Sequence, residues 1–184
     1  LHGKPLGQSK ASYTKTIEGL GGDPNNPFQI FPDVAEYYAG ILEQKRKAAA
    51  ARKAKFASWE QANPAQAAKL STWLSGKLPE INWGEIAQKE NDATRNASGN
   101  VLAYLAGKVE NLIVASADLS NSDKTDSFLK KTTAFTKGDF SGSFLQAGVA
   151  ELTMAALSIG MSLHGGVIPV CATFFAFSDY MKPA

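Results

Sequence analysis

Cysteine and histidine are almost missing from this sequence: one cysteine, Cys171, and two histidines, His2 and His164, among 184 residues. A single thiol excludes an internal disulfide, and no second His or Cys stands at ligand spacing, so no self-contained metal site is expected. A lone cysteine also suits a reducing compartment, and a cytoplasmic location is expected. Charge of one sign is lacking too. Nineteen basic and 17 acidic residues leave a formal net charge of +2, too small to draw the chain to nucleic acid or membrane. No basic-then-apolar leader opens "LHGKPLGQSK", which does not begin with Met, and the sequence stops at "FSDYMKPA" directly after an apolar run. Both ends are therefore expected to be cuts in something longer.

The one long apolar run, "SFLQAGVAELTMAALSIGMSLHGG" from Ser143 to Gly166, approaches the length of a membrane span. Gln146, Glu151 and Thr153 interrupt it and no cluster of Lys or Arg flanks it, so a core helix is the expectation and no membrane is implied. Glu151 is its one ionisable side chain before His164. A carboxylate placed there is expected to be buried, at a cost of several kcal/mol or more unless paired or neutralised. Local pattern leaves two readings open: a mispaired core residue or an active-site acid.

Elsewhere the chain is well supplied with punctuation. Residues 1–32 hold "GLGGDPNNPFQIFPD", a loop with one short strand expected at Phe28–Phe31. Asp33 is placed to cap a helix running through "VAEYYAGILEQKRKAAAARKAKFASWEQA", and a second helix starts near Pro64 and closes at Gly76 and Pro79. Residues 33–88 thus form a helical connector. After Lys89 the pattern changes. "ATRNASGNVLAYLAGK" predicts a helix, "NLIVASADL" and "GGVIPVCATFFAF" predict strands buried on both faces, and "GSFLQAG" predicts a short strand turning at Gly148 into the long apolar helix. This alternation predicts an α/β layer with a parallel sheet over residues 89–184, whose ligands would collect at the carboxyl ends of the strands. Asp118, Ser122, Glu151 and Phe174–Tyr180 all fall just after predicted strands.

Other signals have plainer readings. The basic cluster "EQKRKAAAARKAK" lacks an aromatic platform or nucleic-acid motif and reads as a solvated helix face. Asn96-Ala97-Ser98 matches a glycosylation sequon by chance, and Ser116 with Asp118 has no histidine placed to complete a nucleophile set. Phe174, Phe177 and Tyr180 stand three residues apart. That spacing fits either core packing or an aromatic cage around a flat ring.

Six segments occur in an order that resembles transketolase, a thiamine-diphosphate-dependent family: "HGKPLG" at His2, "ATR" at Arg95, "SADL" followed by Ser122, "GVAE" at Glu151, "SLHGG" at His164 and "TFFAFSDY". The resemblance implies a partial parallel-sheet, pyrimidine-binding domain over residues 89–184, preceded by the connector and by the tail of the diphosphate-binding domain over residues 1–32. It implies that Glu151 bonds N1′ of the cofactor's aminopyrimidine, favouring the tautomer whose exocyclic nitrogen deprotonates the thiazolium C2. It further implies that Phe177 stacks on the aminopyrimidine with Phe174 and Tyr180 beside it. Arg95 and Ser122 would bind the substrate's phosphate, His2 would lie near the diphosphate and the substrate hydroxyl end, and Asp118 close to the cofactor.

The implied activity is transfer of a two-carbon ketol unit between sugar phosphates in the pentose phosphate pathway, by a homodimer. Magnesium or calcium would assist, with ligands outside this segment. Sister thiamine enzymes, dihydroxyacetone synthase and deoxyxylulose-phosphate synthase, keep the Glu and the cage, but Arg95 with Ser122 favours transketolase. The remaining alternative is a non-catalytic binding module using the basic helix. Ala150 and Leu152, flanking the Glu, and Cys171 depart from the family's pattern. The 184 residues alone are expected to be inactive.

Overall fold

The computed structural model describes residues 3–184, and the chain divides into two compact units, residues 1–62 and 63–184. In the first, a 3₁₀ turn at Leu6–Ser9 precedes helix α1, Tyr13–Gly19, whose N-cap Ser12 accepts from the Lys15 amide at 3.3 Å. The strand expected at Phe28–Phe31 does not form: the segment is turn and coil, with Phe28 91% exposed. Among the described residues of this unit no strand is present to pair with it, and a lone strand leaves its backbone groups unbonded.

Helix α2, Pro32–Ala62, begins one residue before the expected cap. Pro32 takes the first helical position, where an N–H is not needed, and Phe31 O accepts the first helical bond from Ala35 N at 2.9 Å. Asp33 therefore lies inside the first turn, where its charge complements the helix dipole. The helix has 31 residues and none is buried, so its Lys and Arg cluster is a solvated face.

The second unit starts with α3, Pro64–Leu74, again with proline in its first turn, and is closed by Gly76 in the left-handed region at φ 72°. After a 3₁₀ turn at Trp83–Glu85 come α4 (Thr94–Leu105), β1 (Leu112–Ser116), α5 (Ser120–Asp123), α6 (Asp126–Leu129), β2 (Phe144–Gln146), α7 (Glu151–His164) and β3 (Ile168–Ala172). A 3₁₀ segment, Phe175–Met181, follows. The three strands form one parallel sheet in the order β2-β1-β3, with Val114 opposite Phe144 and Ile113 opposite Pro169. This is the α/β architecture that the alternation of patterns predicts. β3 departs from expectation in being half-buried along its whole length, because it is an outer strand rather than a central one.

Strand periodicity divides the core. Leu112 and Val114 point to one face of β1 and pack with Leu102, Val109, Phe128 and Phe144. Ala115 and Ala117 point to the other and leave room for Met154 of α7. Full burial of a side chain such as Phe128 or Phe144 contributes about 1.5–3 kcal/mol. Along α7 the buried residues are Glu151, Met154, Ala155 and Ser158, a spacing of three, four and seven that makes one helical stripe. Glu151 is buried because it is the first member of that stripe.

A clasp holds the 3₁₀ turn at Trp83–Glu85 to α4: Tyr104 Oη donates to Glu85 Oε2 at 2.8 Å, and Asn82 Nδ2 donates to Oε1 at 3.1 Å. The Tyr104 bond, then the Asn82 bond, hold the Glu85 carboxyl below its ordinary 4.5, while Glu85 raises the Tyr104 phenol above 10.0. A carboxylate depressed by folding contributes stability above its unfolded value and loses it as pH falls through the folded one. Tyr104→Phe is therefore expected to lower the melting temperature slightly at pH 7. That difference should shrink as melts are repeated at pH falling below 4.5 and through the lower value of the folded protein, beyond which both proteins carry a neutral Glu85; a gap that persists there would refute the assignment.

Candidate active site

The connection from β2 to α7 is made for close turning. Gly148 adopts φ 68°, a conformation that costs residues with a Cβ, and Ala150 N bonds back to Gly148 O at 2.8 Å. The helix then begins at Glu151 with no side-chain cap at Ala150. This sharp entry puts an acidic residue at the carboxyl end of the sheet, 7% exposed, at the mouth of a cleft of about 480 Å³. Val149, Ala150, Leu152, Thr153, Phe177 and Tyr180 line the cleft with it. Thr173, the residue after β3, donates from Oγ1 to Glu151 Oε1 at 3.2 Å.

The aromatic stripe is not core. Phe177 is 39% and Tyr180 63% exposed. The rings of Phe174 and Phe177 stack with centroids 6.2 Å apart and planes at 17°, and those of Phe177 and Tyr180 at 6.5 Å and 29°. A 3₁₀ helix has three residues per turn, so side chains three apart eclipse one another, and the segment Phe175–Met181 turns the sequence spacing into a ladder of rings. A buried acid beside exposed, roughly parallel aromatic faces suits a flat, nitrogen-bearing ring: the faces supply stacking and the carboxyl supplies one directed bond. The apolar Ala150 and Leu152 on either side of Glu151 both line this cleft.

Asp118 lies elsewhere, in a smaller cleft of about 260 Å³ with Ser116, Ser120, Gln146 and Gly148, at the carboxyl ends of β1 and β2. Its backbone is left-handed at φ 62°, a conformation Asp tolerates better than most residues. A part-buried network holds the loop in this shape. Ser116 Oγ donates to Asp123 Oδ2 at 2.7 Å and accepts from Leu119 N at 3.2 Å, while Asp123 Oδ1 accepts from Thr125 N at 2.9 Å and Thr125 Oγ1 at 2.7 Å.

Ser122 sits on α5, its hydroxyl turned to Asn121 Oδ1 at 3.3 Å, and Arg95 is exposed in the first turn of α4. Neither lines the acid's cleft. They belong to adjoining elements, since a Cβ added to Gly99, one helical turn after Arg95, would meet Lys124 Cβ at 3.0 Å. His2 lies outside the described residues. Sequence patterns missed Thr173 and the Ser116–Asp123–Thr125 network, because both depend on contacts between segments. The one available signal for Thr173 was its position between a strand end and the first ring.

Two family models match the chain: "Transketolase, thiamine diphosphate binding domain" over residues 1–79 and "Transketolase, pyrimidine binding domain" over residues 90–184, the latter just over half of the sequence. The chain belongs to the transketolase family. It is 37% identical over its whole length to the transketolase of Halalkalibacterium halodurans and 35% identical to that of Bacillus subtilis, spanning 27% and 28% of those proteins. It thus covers about a quarter of the length of these relatives. Among solved structures, transketolase from Leishmania mexicana superposes with a TM-score of 0.76 at 28% identity, covering 89% of this chain and 25% of that one. A Pichia stipitis transketolase in complex with sedoheptulose 7-phosphate gives 0.74 at 29% identity, covering 92% of this chain and 26% of that one.

The matching family model names thiamine diphosphate, whose aminopyrimidine is a flat, nitrogen-bearing ring. Acid, ring ladder and cleft volume fit an aminopyrimidine. Among the described residues no group of three or more His, Cys, Asp or Glu side chains is clustered to hold a metal ion, and no helix is long and apolar enough to cross a membrane.

Proposed function

We propose that this chain is the part of a transketolase that holds the pyrimidine end of thiamine diphosphate and receives the phosphate of the sugar substrate. The observation that carries the reading is the pairing of a nearly enclosed Glu151 with Phe177 and Tyr180 around one cleft, Phe174 stacking on Phe177 to extend the ring ladder. When bound, the cofactor supplies the acidic carbon that bonds to the ketose carbonyl. Glu151 holds or shares a proton at a ring nitrogen, Phe177 stacks on the ring face, and Phe174 and Tyr180 steady that stack. Asp118, from the separate cleft beside Gly148, comes close to the cofactor. Arg95 and Ser122, on adjoining helices, bind the phosphate through a guanidinium and a hydroxyl, and His2 serves the diphosphate and the substrate's hydroxyl end.

Residues 1–32 are then the tail of the diphosphate-binding domain, 33–88 the connector and 89–184 the first part of the pyrimidine-binding domain. The divalent ion, magnesium or calcium, is bound by residues outside this chain. A homodimer is supported by the apolar side chains that α7 leaves uncovered: Leu152, Ile159 and Leu163 are exposed along one side, and on another side the exposed Leu157 lines an apolar groove of about 710 Å³ with Trp73 and Leu74 of α3. A cytoplasmic role in the pentose phosphate pathway follows from the same reading and suits the free thiol of Cys171.

The test is ketol transfer from xylulose 5-phosphate to ribose 5-phosphate by the full-length protein, dependent on thiamine diphosphate, with no turnover by the 184 residues alone. Activity in the isolated chain, or full-length activity without the cofactor, would overturn the proposal.

A further inference from the structure

We propose that Thr173 is the positioning residue for Glu151, fixing which carboxyl oxygen faces the cofactor ring. The inference rests on the proposed function. Thr173 is half-buried where β3 ends, and the strand is pinned there by Ala117 N donating to Ala172 O at 3.3 Å. Its hydroxyl reaches across to α7 and donates to Glu151 Oε1 at 3.2 Å. Among the described residues this is the one hydrogen bond made to the Glu151 carboxyl, so Oε1 is committed and Oε2 has no protein partner. Glu151 lines the cleft, which leaves Oε2 as the oxygen available to a ligand there.

The chemistry follows from counting protons. A threonine hydroxyl has one hydrogen to give, and giving it to Oε1 makes that oxygen the poorer seat for a second proton. A proton shared between the carboxyl and a ring nitrogen therefore resides on the Oε2 side. The β-branched side chain is stiff at χ1, so a short rigid donor, rather than a long flexible one, sets the plane of the carboxyl group. Thr173 is also the neighbour of Phe174, which stacks on Phe177. Acid and ring ladder are thereby tied to the same strand end, and the bond keeps the directed contact in register with the stacking surface.

The experiment compares Thr173→Val, which keeps the shape without the hydroxyl, with Thr173→Ser, which keeps the hydroxyl. Thr173→Ala repeats the hydroxyl-free arm if valine disturbs packing. In the full-length protein with thiamine diphosphate, Thr173→Val is expected to lower kcat about tenfold, the effect of one misplaced hydrogen bond. KM for the ketose phosphate should hardly move, and Thr173→Ser should recover most of the rate. In the protein without cofactor, the ¹³C resonance of the Glu151 carboxyl carbon should shift in Thr173→Val and stay in place in Thr173→Ser. An unmoved resonance in Thr173→Val, or equal loss in valine and serine variants, overturns the positioning role. Full turnover by Glu151→Gln would instead overturn the reading on which it rests.

Discussion

Glu151→Gln is expected to lower kcat of the complete, cofactor-loaded protein by roughly 10²–10⁴-fold, the range in which a positioned acid or base contributes, and to leave its folding nearly unchanged. Glutamine matches glutamate in size, and its amide oxygen can still accept from Thr173 Oγ1, as Glu151 Oε1 does at 3.2 Å. The packing of the buried stripe with Met154, Ala155 and Ser158 is also kept. What is lost is the ability to hold a proton in one step and release it in the next. Steady-state ketol transfer, measured beside a thermal melt, separates the two effects: the melt stays and the rate collapses. A variant with wild-type turnover would remove Glu151 from the chemistry. One that fails to fold would make the residue structural, the first of the two readings its surroundings allow.

Gly142→Ala is expected to have the largest effect on stability. A methyl group there would lie 2.5 Å from Thr133 O and 2.8 Å from the carbonyl carbon and oxygen of Ala134. All three are backbone atoms, and Thr133 O already accepts from Ser143 N at 2.9 Å and Phe144 N at 3.1 Å. Relief requires breaking those bonds or withdrawing β2, which would pull the fully enclosed Phe144 out of its packing with Val114 and Phe128. The cost is about 3 kcal/mol or more, at the upper end for overpacking. Urea denaturation should show a lower midpoint with an unchanged slope. Gly160→Ala is the control, because an added Cβ in that part of α7 meets nothing within 4 Å; it should be neutral or slightly stabilising. Equal midpoints for the two variants would refute the steric account.

These two residues differ in how visible they are beforehand. Glu151 stands out because a carboxyl in an apolar helix is an anomaly that one line of sequence displays. Gly142 looks like any loop glycine, since its constraint comes from a backbone nine residues upstream. The same division runs through the fold. β1 and α7 announce themselves by composition, and Gly148 by its place between a strand and a helix. Helices α5 and α6 have four residues each, too short to show any period, so nothing in the sequence betrays them. Phe28–Phe31 carries the composition of a strand but has no partner, and composition alone does not record partners. Within the candidate site, the three-residue spacing of Phe174, Phe177 and Tyr180 is legible, yet whether it means core or open ladder depends on whether the segment coils as a 3₁₀ or an α-helix. Thr173 is invisible for another reason: its bond spans 22 residues, and no local pattern encodes a contact of that reach.

Pro169 carries a further implication. Ile168 N is bonded toward β1, to Asn111 O at 2.8 Å, and successive residues of a strand direct their amides to opposite sides, so Pro169 and Cys171 face outward. One of those two outward positions has no hydrogen to donate. The flank of β3 that has no partner strand among the described residues consequently accepts more bonds than it can return, and a neighbouring polypeptide gains a full ladder there only by placing no acceptor opposite the gap. Growth of the sheet on that flank is thereby made selective, admitting a strand of matching register and discouraging indiscriminate stacking of copies.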